Sequence, residues 1–273
     1  MKWEYLSVSE FKESINKTKG VAIIPIGCLE KHGYHMPLGT DMFIAKTIAE
    51  KAAEKEEALV VPIAPYGIIS EAQHRYGCLS ISSKLQYELL EEVCDQLARN
   101  GYKKIIILNG HGGANNFMNY FAQSRLEKYH PYIVYVYRAH YRTLKQHQDF
   151  LKEYGPLNGS GHADMMETSE IMYMHPETVD LSKIDVSQCA PELRNEFLAE
   201  NGIFTAIGWY GNHPHHIAGD PSNASAIKGE VLTNMYIDNL AKAIKIIKED
   251  SENKWSNKLA KEFIAVLKED LGE

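Results

Sequence analysis

The sequence of 273 residues has few cysteines, no strongly basic segment and no long apolar run. Its four cysteines, Cys28, Cys78, Cys94 and Cys189, are widely spaced and form no Cys-x-x-Cys pair. This spacing excludes a disulfide framework and a zinc ribbon, and it fits reduced thiols in a cytoplasmic protein. The opening residues are polar and give no secretory signal, so we expect a cytoplasmic location. No apolar run reaches the roughly 18 residues that a membrane helix needs.

The charge and composition are those of an ordinary soluble globule and give no reason to expect nucleic acid. There are 29 lysines and arginines against 36 acidic residues, a net charge of −7, with no basic cluster. Apolar residues make up 44% of the chain, and there are no internal repeats. We therefore expect one domain over residues 1–273, with residues 251–273 as a C-terminal helical extension. A small-molecule substrate is the expected partner, with neither nucleic acid nor membrane.

Strand-like and helix-like segments alternate along the first half of the chain. Strands are predicted at residues 21–26, 58–64, 104–108 and 132–137, and helices at 8–15, 42–54, 84–100 and 115–129. The third strand is almost wholly apolar, which predicts burial on both faces of a parallel sheet. The alternation predicts an α/β fold of three layers, α/β/α, with a mostly parallel central sheet. Ligands of such folds bind at the carboxyl ends of the strands.

The segment from Gly27 to Asp41 lies at such an end and is rich in metal-compatible side chains. Glu30 and His32 are two residues apart, so an extended backbone points both to one face. Together with Asp41 they form a mixed oxygen and nitrogen set that suits Zn, Mn or Fe(II). Asp41 also fits a helix N-cap. For Cys28, a role as a small buried apolar residue is favoured over a position lining the site.

Two further loops end at the same edge of the predicted sheet. Residues 66–83 form a polar connection that is too long for a plain turn, and loops of this kind are usually functional or disordered. His111 follows the third strand and precedes Gly112 and Gly113, which leave room for the imidazole to reach inward. A phosphate cradle is the competing interpretation, but neither a Walker lysine nor GxGxxG spacing is present. Three loops at one edge predict an active site there.

The second half of the chain has a less regular pattern. A polar helix is predicted at residues 138–153, followed by a turn-rich segment at 155–161. His162 and Glu167 lie across the next helix start and can face one site. A carboxylate in the first turn of a helix also interacts favourably with the helix dipole, whatever its function.

A dense Gly/His/Pro loop precedes the last part of the chain. It contains three histidines, His213, His215 and His216. A loop or subunit-contact role is favoured over metal binding for them, because the side chains of the neighbours His215 and His216 diverge in most backbones. A long final helix is predicted to begin at Asp220-Pro221, since proline is tolerated in a first turn. One more amphipathic helix is predicted from Asn253.

Three motifs, in order, resemble those of the creatininase (creatinine amidohydrolase) family. Residues 27–41 read GCLEKHGYHMPLGTD against the family pattern GSxEQHGPHLPLGTD. Residues 109–115 read NGHGGAN against NGHGGNN, and residues 162–169 read HADMMETS against HAGExETS. The resemblance covers about residues 21–243. It implies an α/β fold, assembly as a homo-oligomer that is often a hexamer, and a site for one or two divalent ions of Zn, Mn or Fe.

The resemblance also implies roles for individual residues. The positions that match the family's metal ligands are Glu30, His32, Asp41 and His111, with Asp41 as the bridging ligand. Glu167 matches a glutamate in or next to the metal shell, as ligand or base, and His162 matches a proposed proton shuttle. Ser70 matches a serine that contacts substrate. Tyr66 and His74, in the same loop, are the other expected substrate contacts.

One departure from the family pattern concerns the residues after His111. Creatininases have Tyr-Glu there, and that glutamate binds the second metal, whereas this chain has Gly112-Gly113. The second metal must lose that ligand or take another, for which Glu167 is the candidate, and creatinine itself is not the expected substrate. We expect a metal-dependent hydrolase that cleaves a C–N bond (amide, formamide or cyclic amide) of a small polar substrate. The alternatives are a hydrolase that opens the ring of an oxidised inositol or related keto-polyol, and a non-catalytic metal-binding module.

Overall fold

A parallel sheet forms the centre of the protein. The computed structural model describes residues 1–155, 161–250 and 256–271. The strands, in the order β2-β1-β3-β4, are β1 (Val21–Ile26), β2 (Leu59–Val60), β3 (Lys104–Asn109) and β4 (Ile133–Arg138). Every neighbouring pair is parallel, with Val21 opposite Lys104 and Lys104 opposite Ile133. This confirms the predicted α/β class.

Helices follow the strands and cover both faces of the sheet. Those of the described residues are α1 (Val8–Lys17), α2 (Thr40–Lys55), α3 (Ser83–Arg99), α4 (Asn115–Ser124), α5 (Leu144–Tyr154), α6 (Met165–Met174), α7 (Glu196–Glu200), α8 (Gly208–Asn212), α9 (Ala226–Glu249) and α10 (Ser256–Leu271). Alternate residues of β1 face opposite ways, and all six are buried. Ile23 packs with α2, α6 and α9, while Ile24 packs with α3 and α4. Within the described residues no helix combines the length and hydropathy that a membrane crossing requires.

The carboxyl ends of β1 and β3 lie against the first turn of α2. Gly110 follows β3, and a Cβ atom at that position would lie only 2.8 Å from the carbonyl oxygen of Asp41. A glycine is therefore needed where the end of β3 meets this turn. Because of this close approach, the loops after the two central strands and the first turn of α2 share one small space.

Several predicted boundaries are wrong. The second strand is only two residues long, and Pro62 just beyond it has no N–H to donate to a neighbouring strand. The helix predicted from residue 138 begins at Leu144, where Thr143 forms a capping box. The last long helix begins at Ala226, not at Asp220-Pro221, because Ser225 is its N-cap. Of the predicted turn-rich segment and C-terminal extension, residues 156–160, 251–255 and 272–273 lie outside the described residues.

Candidate metal centre

Five side chains predicted as metal ligands lie together at the carboxyl ends of β1 and β3. The loop after β1 carries two of them, and the first turn of α2, the loop after β3 and the first turn of α6 carry the others: Glu30, His32, Asp41, His111 and Glu167. All five are buried. Possible ligand atoms form three groups, each within 4.8 Å; one of them joins Glu30, His32 and His162, and the two described below share Asp41. The fold thus brings donors from four segments to one point.

The first group surrounds the Nδ1 atom of His111. That atom lies 3.0 Å from Glu30 Oε2 and 3.1 Å from Asp41 Oδ2. The thiol of Cys28 completes the group, donating to Asp41 Oδ2 at 3.0 Å. Cys28 is fully buried, as expected for a small apolar residue, but it also lines the site, which was the less favoured interpretation of its position.

The second group is centred on His32. Its Nε2 atom lies 3.3 Å from Asp41 Oδ1 and 3.6 Å from Glu167 Oε2, yet it has no hydrogen-bond partner among the described residues. Its Nδ1 atom is 3.1 Å from the carbonyl oxygen of Glu30 and can donate there, which leaves Nε2 to offer a lone pair. A buried imidazole nitrogen without a partner, facing two carboxylates, fits a divalent cation such as Zn, Mn or Fe(II).

The buried charges in this cluster shift one another's pKa values. Burial favours the neutral ring of His32, but Asp41, Glu167 and Glu30 raise its pKa to about 10. Against the effect of burial, the neighbouring His111 holds the pKa of Glu30 well below its usual value. Burial, in contrast, raises the pKa of Glu167 to about 7, with His32 opposing the shift. Protonated histidines thus balance carboxylates here, and a bound cation would displace those protons.

Asp41 and Glu167 each also have a predicted role at the start of a helix, and the structure treats the two differently. Gly39 is the N-cap of α2, and Asp41 lies inside the first turn, so its predicted alternative role as N-cap is wrong. Glu167 does support its own helix start, because its Oε2 accepts the N–H of Ala163 at 2.7 Å. Its carboxylate therefore serves the helix and the cluster together.

His162 lies against the cluster without pairing to a carboxylate. Its Nε2–H donates to the carbonyl oxygen of Lys31 at 2.9 Å, and its ring centroid is 4.3 Å from that of His32. Burial and the neighbouring His32 lower the pKa of His162 to about 3. The ring is therefore neutral near pH 7, with Nδ1 as its remaining acceptor.

Two other residues complete the surroundings of the cluster, and sequence reasoning missed both. His216 is fully buried and its Nε2–H donates to Glu30 Oε1 at 2.7 Å, while Trp209 Nε1–H donates to His216 Nδ1 at 2.9 Å. The favoured loop or contact role for this histidine was therefore incomplete. Glu71 Oε1 lies 2.9 Å from His111 Nε2. The spacing of these residues along the chain carries no signal for either contact.

Two of the three predicted substrate contacts lie on an open groove beside the cluster. Ser70 and His74 line this groove of about 760 Å³, together with Glu71 and Tyr210. Tyr66 is half exposed and is not among the residues that line it.

A second, smaller cavity of about 370 Å³ reaches the other side of the cluster. Its wall includes His111 and Glu167. Further from the cluster the lining remains polar and charged, with Arg138, His140, Arg142 and Glu170. A small polar molecule in this cavity would contact donors of both groups.

Sequence comparisons place these residues in a known family. The family model described as creatinine amidohydrolase matches residues 4–244. The chain is 23% identical to creatinine amidohydrolase of Pseudomonas putida over 66% of this chain and 74% of that protein. It is 26% identical to mycofactocin precursor peptide peptidase of Mycobacterium ulcerans over 81% and 83% of the two chains. It is 25% identical to 3-dehydro-scyllo-inosose hydrolase of Thermotoga maritima over 90% and 83%.

Solved structures share the fold. The structure described as creatininase Mn has a TM-score of 0.72 at 21% identity, covering 89% of this chain and 97% of that chain. A mutant creatininase of Zn-Zn type has a TM-score of 0.69 at 21% identity, covering 89% and 96%. At this identity the likeness establishes the fold alone. The family model, in contrast, covers nearly the whole chain, and we conclude that the chain belongs to the creatininase family.

Proposed function

We propose that this protein is a metal-dependent hydrolase that uses water to cleave a C–N bond (amide, formamide or cyclic amide) of a small polar substrate. The observation that carries the proposal is the unpartnered Nε2 of His32, buried between the carboxylates of Asp41 and Glu167. Membership of a family whose relatives are hydrolases supports the reaction class.

The residues that would hold one or two cations follow from the two donor groups. Glu30, Asp41 and His111 would hold one ion, and His32, Asp41 and Glu167 a second. Imidazole and carboxylate donors suit Zn, Mn or Fe(II). When bound, such an ion polarises a carbonyl oxygen and lowers the pKa of water towards about 7.

The protein's own side chains would handle the protons. With a single ion held by Glu30, Asp41 and His111, Glu167 is not a ligand, and burial, which raises its pKa to about 7, would let it take a proton from water and release it near neutral pH. The Nδ1 atom of the neutral His162 has no hydrogen-bond partner among the described residues. The ring can pass on only a proton that it first accepts there, which is how a proton shuttle would operate. The polar cavity of about 370 Å³ beside Glu167 would hold a small substrate.

A second candidate function is hydrolytic ring opening of an oxidised inositol or related keto-polyol. It is favoured by one observation, the alignment of 3-dehydro-scyllo-inosose hydrolase over 90% of this chain. The charged and polar wall of the smaller cavity suits hydroxyl groups as well as amides. We extend the proposal to a cytoplasmic homo-oligomer, on the basis of the resemblance and of the unpaired thiols of the described cysteines.

The test is turnover by the full chain loaded with Zn²⁺ or Mn²⁺. Panels of formamides and lactams would be compared with keto-polyols. We expect hydrolysis of a C–N substrate, and a loss of about 10²–10⁴-fold in the Glu167→Gln variant because the proton acceptor is gone. Glu177→Gln changes an exposed carboxylate and is the matched control. Turnover of keto-polyols alone would favour the second candidate. Metal binding without any turnover would indicate a non-catalytic module.

A further inference from the structure

The ring of His111 has a different partner at each nitrogen. Nδ1 faces Glu30 and Asp41, at 3.0 and 3.1 Å. Nε2, on the opposite edge, is 2.9 Å from Oε1 of Glu71. Glu71 comes from a short 3-10 turn (Ser70–Ala72) in the long loop between β2 and α3, and its side chain is about one-fifth exposed. This loop therefore places a carboxylate behind a ring whose other edge faces the cluster.

Gly113 provides the space for this contact. A Cβ atom there would overlap Oε1 of Glu71 and would lie 2.5 Å from Nε2 of His111. At the neighbouring Gly112, a Cβ atom would meet nothing within 4 Å. Both glycines lie in the same 3-10 turn, and neither has a positive φ. Gly113 is therefore required for its missing side chain and not for its backbone conformation.

We propose that Glu71 is a positioning residue that accepts the Nε2–H of His111 and thereby holds Nδ1 towards Glu30 and Asp41. A neutral imidazole carries one proton, so a carboxylate that takes the hydrogen bond at Nε2 leaves the lone pair on Nδ1. Carboxylate partners of this kind orient a ligating histidine and make it a better ligand. The consequence for metal affinity rests on the proposed function, whereas the orientation of the ring does not.

Two measurements on the full-length protein test this role. The first is Zn²⁺ affinity, from competition with a chromophoric chelator. We expect Glu71→Ala and Gly113→Ala each to weaken binding by about 10–100-fold. Gly113→Ala should weaken binding at least as much as Glu71→Ala, because a Cβ atom there would also lie 2.5 Å from Nε2 of His111. Glu71→Gln keeps an acceptor oxygen and should lose less affinity, and Gly112→Ala, the matched control, should bind like the unchanged protein.

The second measurement is the NMR signal of the His111 Nε2–H in the metal-free protein. We expect a slowly exchanging, hydrogen-bonded proton in the unchanged protein, in Glu71→Gln and in Gly112→Ala, and its loss in Glu71→Ala and Gly113→Ala. Presence of the signal in Glu71→Ala, or equal Zn²⁺ affinity in that variant, would overturn the proposal. If the unchanged protein bound no Zn²⁺, the proposed function would fail, while this signal would still decide whether Glu71 positions the ring.

Discussion

The cluster around Asp41 and the pair formed by His140 and Glu170 both set buried carboxylates against histidine, but they differ in how many groups meet. In the pair, His140 Nε2 lies 3.4 Å from Oε2 of a single, fully buried Glu170. His140 Nε2 and both carboxylate oxygens of Glu170 lack a hydrogen-bond partner among the described residues. In the cluster, donors from four chain segments lie close together.

The two sites are adjacent on one helix, which makes their difference informative. Glu167 and Glu170 are three residues apart on α6, so the same element presents one carboxylate to each site. Both sites raise the pKa of a histidine, that of His32 to about 10 and that of His140 to about 9. A buried pair is therefore enough to shift a pKa, whereas a cation site requires several donors around one point.

The largest expected effect is that of Asp41→Ala, which removes the residue common to both donor groups. Metal content by ICP-MS should fall to background. Activity should fall about a thousandfold, because several kcal/mol of transition-state stabilisation depend on the ion. Glu170→Gln, the corresponding change in the pair, should retain the full metal content. If Asp41→Ala retained its metal and Glu170→Gln lost it, the roles of the two sites would have to be exchanged.

A smaller effect is expected from Trp209→Phe, which acts on the cluster indirectly. The indole N–H fixes the tautomer of His216, whose Nε2–H then donates to Glu30. Without it the ring can turn or change tautomer, and Zn²⁺ affinity should fall about tenfold. Tyr210→Phe, at the next and more exposed residue, is the control. Unchanged affinity in Trp209→Phe would mean that Glu30 does not depend on this hydrogen-bond chain.

The smallest effect concerns the pair alone and is a change in stability. Burial favours neutral His140, but Glu170 raises its pKa to about 9, above the roughly 6.5 of an unfolded chain. The resulting stabilisation is fully present below about pH 6.5 and is lost as the pH rises through about 9. Glu170→Gln should lower the free energy of unfolding by about 2 kcal/mol near pH 6, measured with urea.

The difference between Glu170→Gln and the unchanged protein should shrink above about pH 9, where His140 is neutral in both. Glu177→Gln, which changes an exposed partner of His175, should show no such pH dependence. A Glu170→Gln protein that was more stable at low pH would mean that the cost of burying this carboxylate exceeds its attraction to His140.

Local features of the fold were predictable because they depend on neighbours in sequence. The bounds of β1 follow from an apolar run, and those of α3 agree with its apolar spacing to within one residue. The predicted start of α9 is wrong because Pro221 is compatible with a helix start, whereas the Ser225 cap decides the position. Short-range patterns thus locate an element better than they locate its ends.

The sequence alone determined the α/β class, the family, and the presence of Glu30, His32 and Asp41 in one short segment after the first strand. Only the tertiary structure decided which distant groups join them. His216 reaches Glu30 across 186 positions and Glu71 reaches His111 across 40. These contacts depend on how long loops fold over the sheet edge, and on the space left by a missing side chain at Gly113. Neither contact leaves a periodic pattern in the sequence, because both depend on packing between distant segments and not on the spacing of residues within one segment.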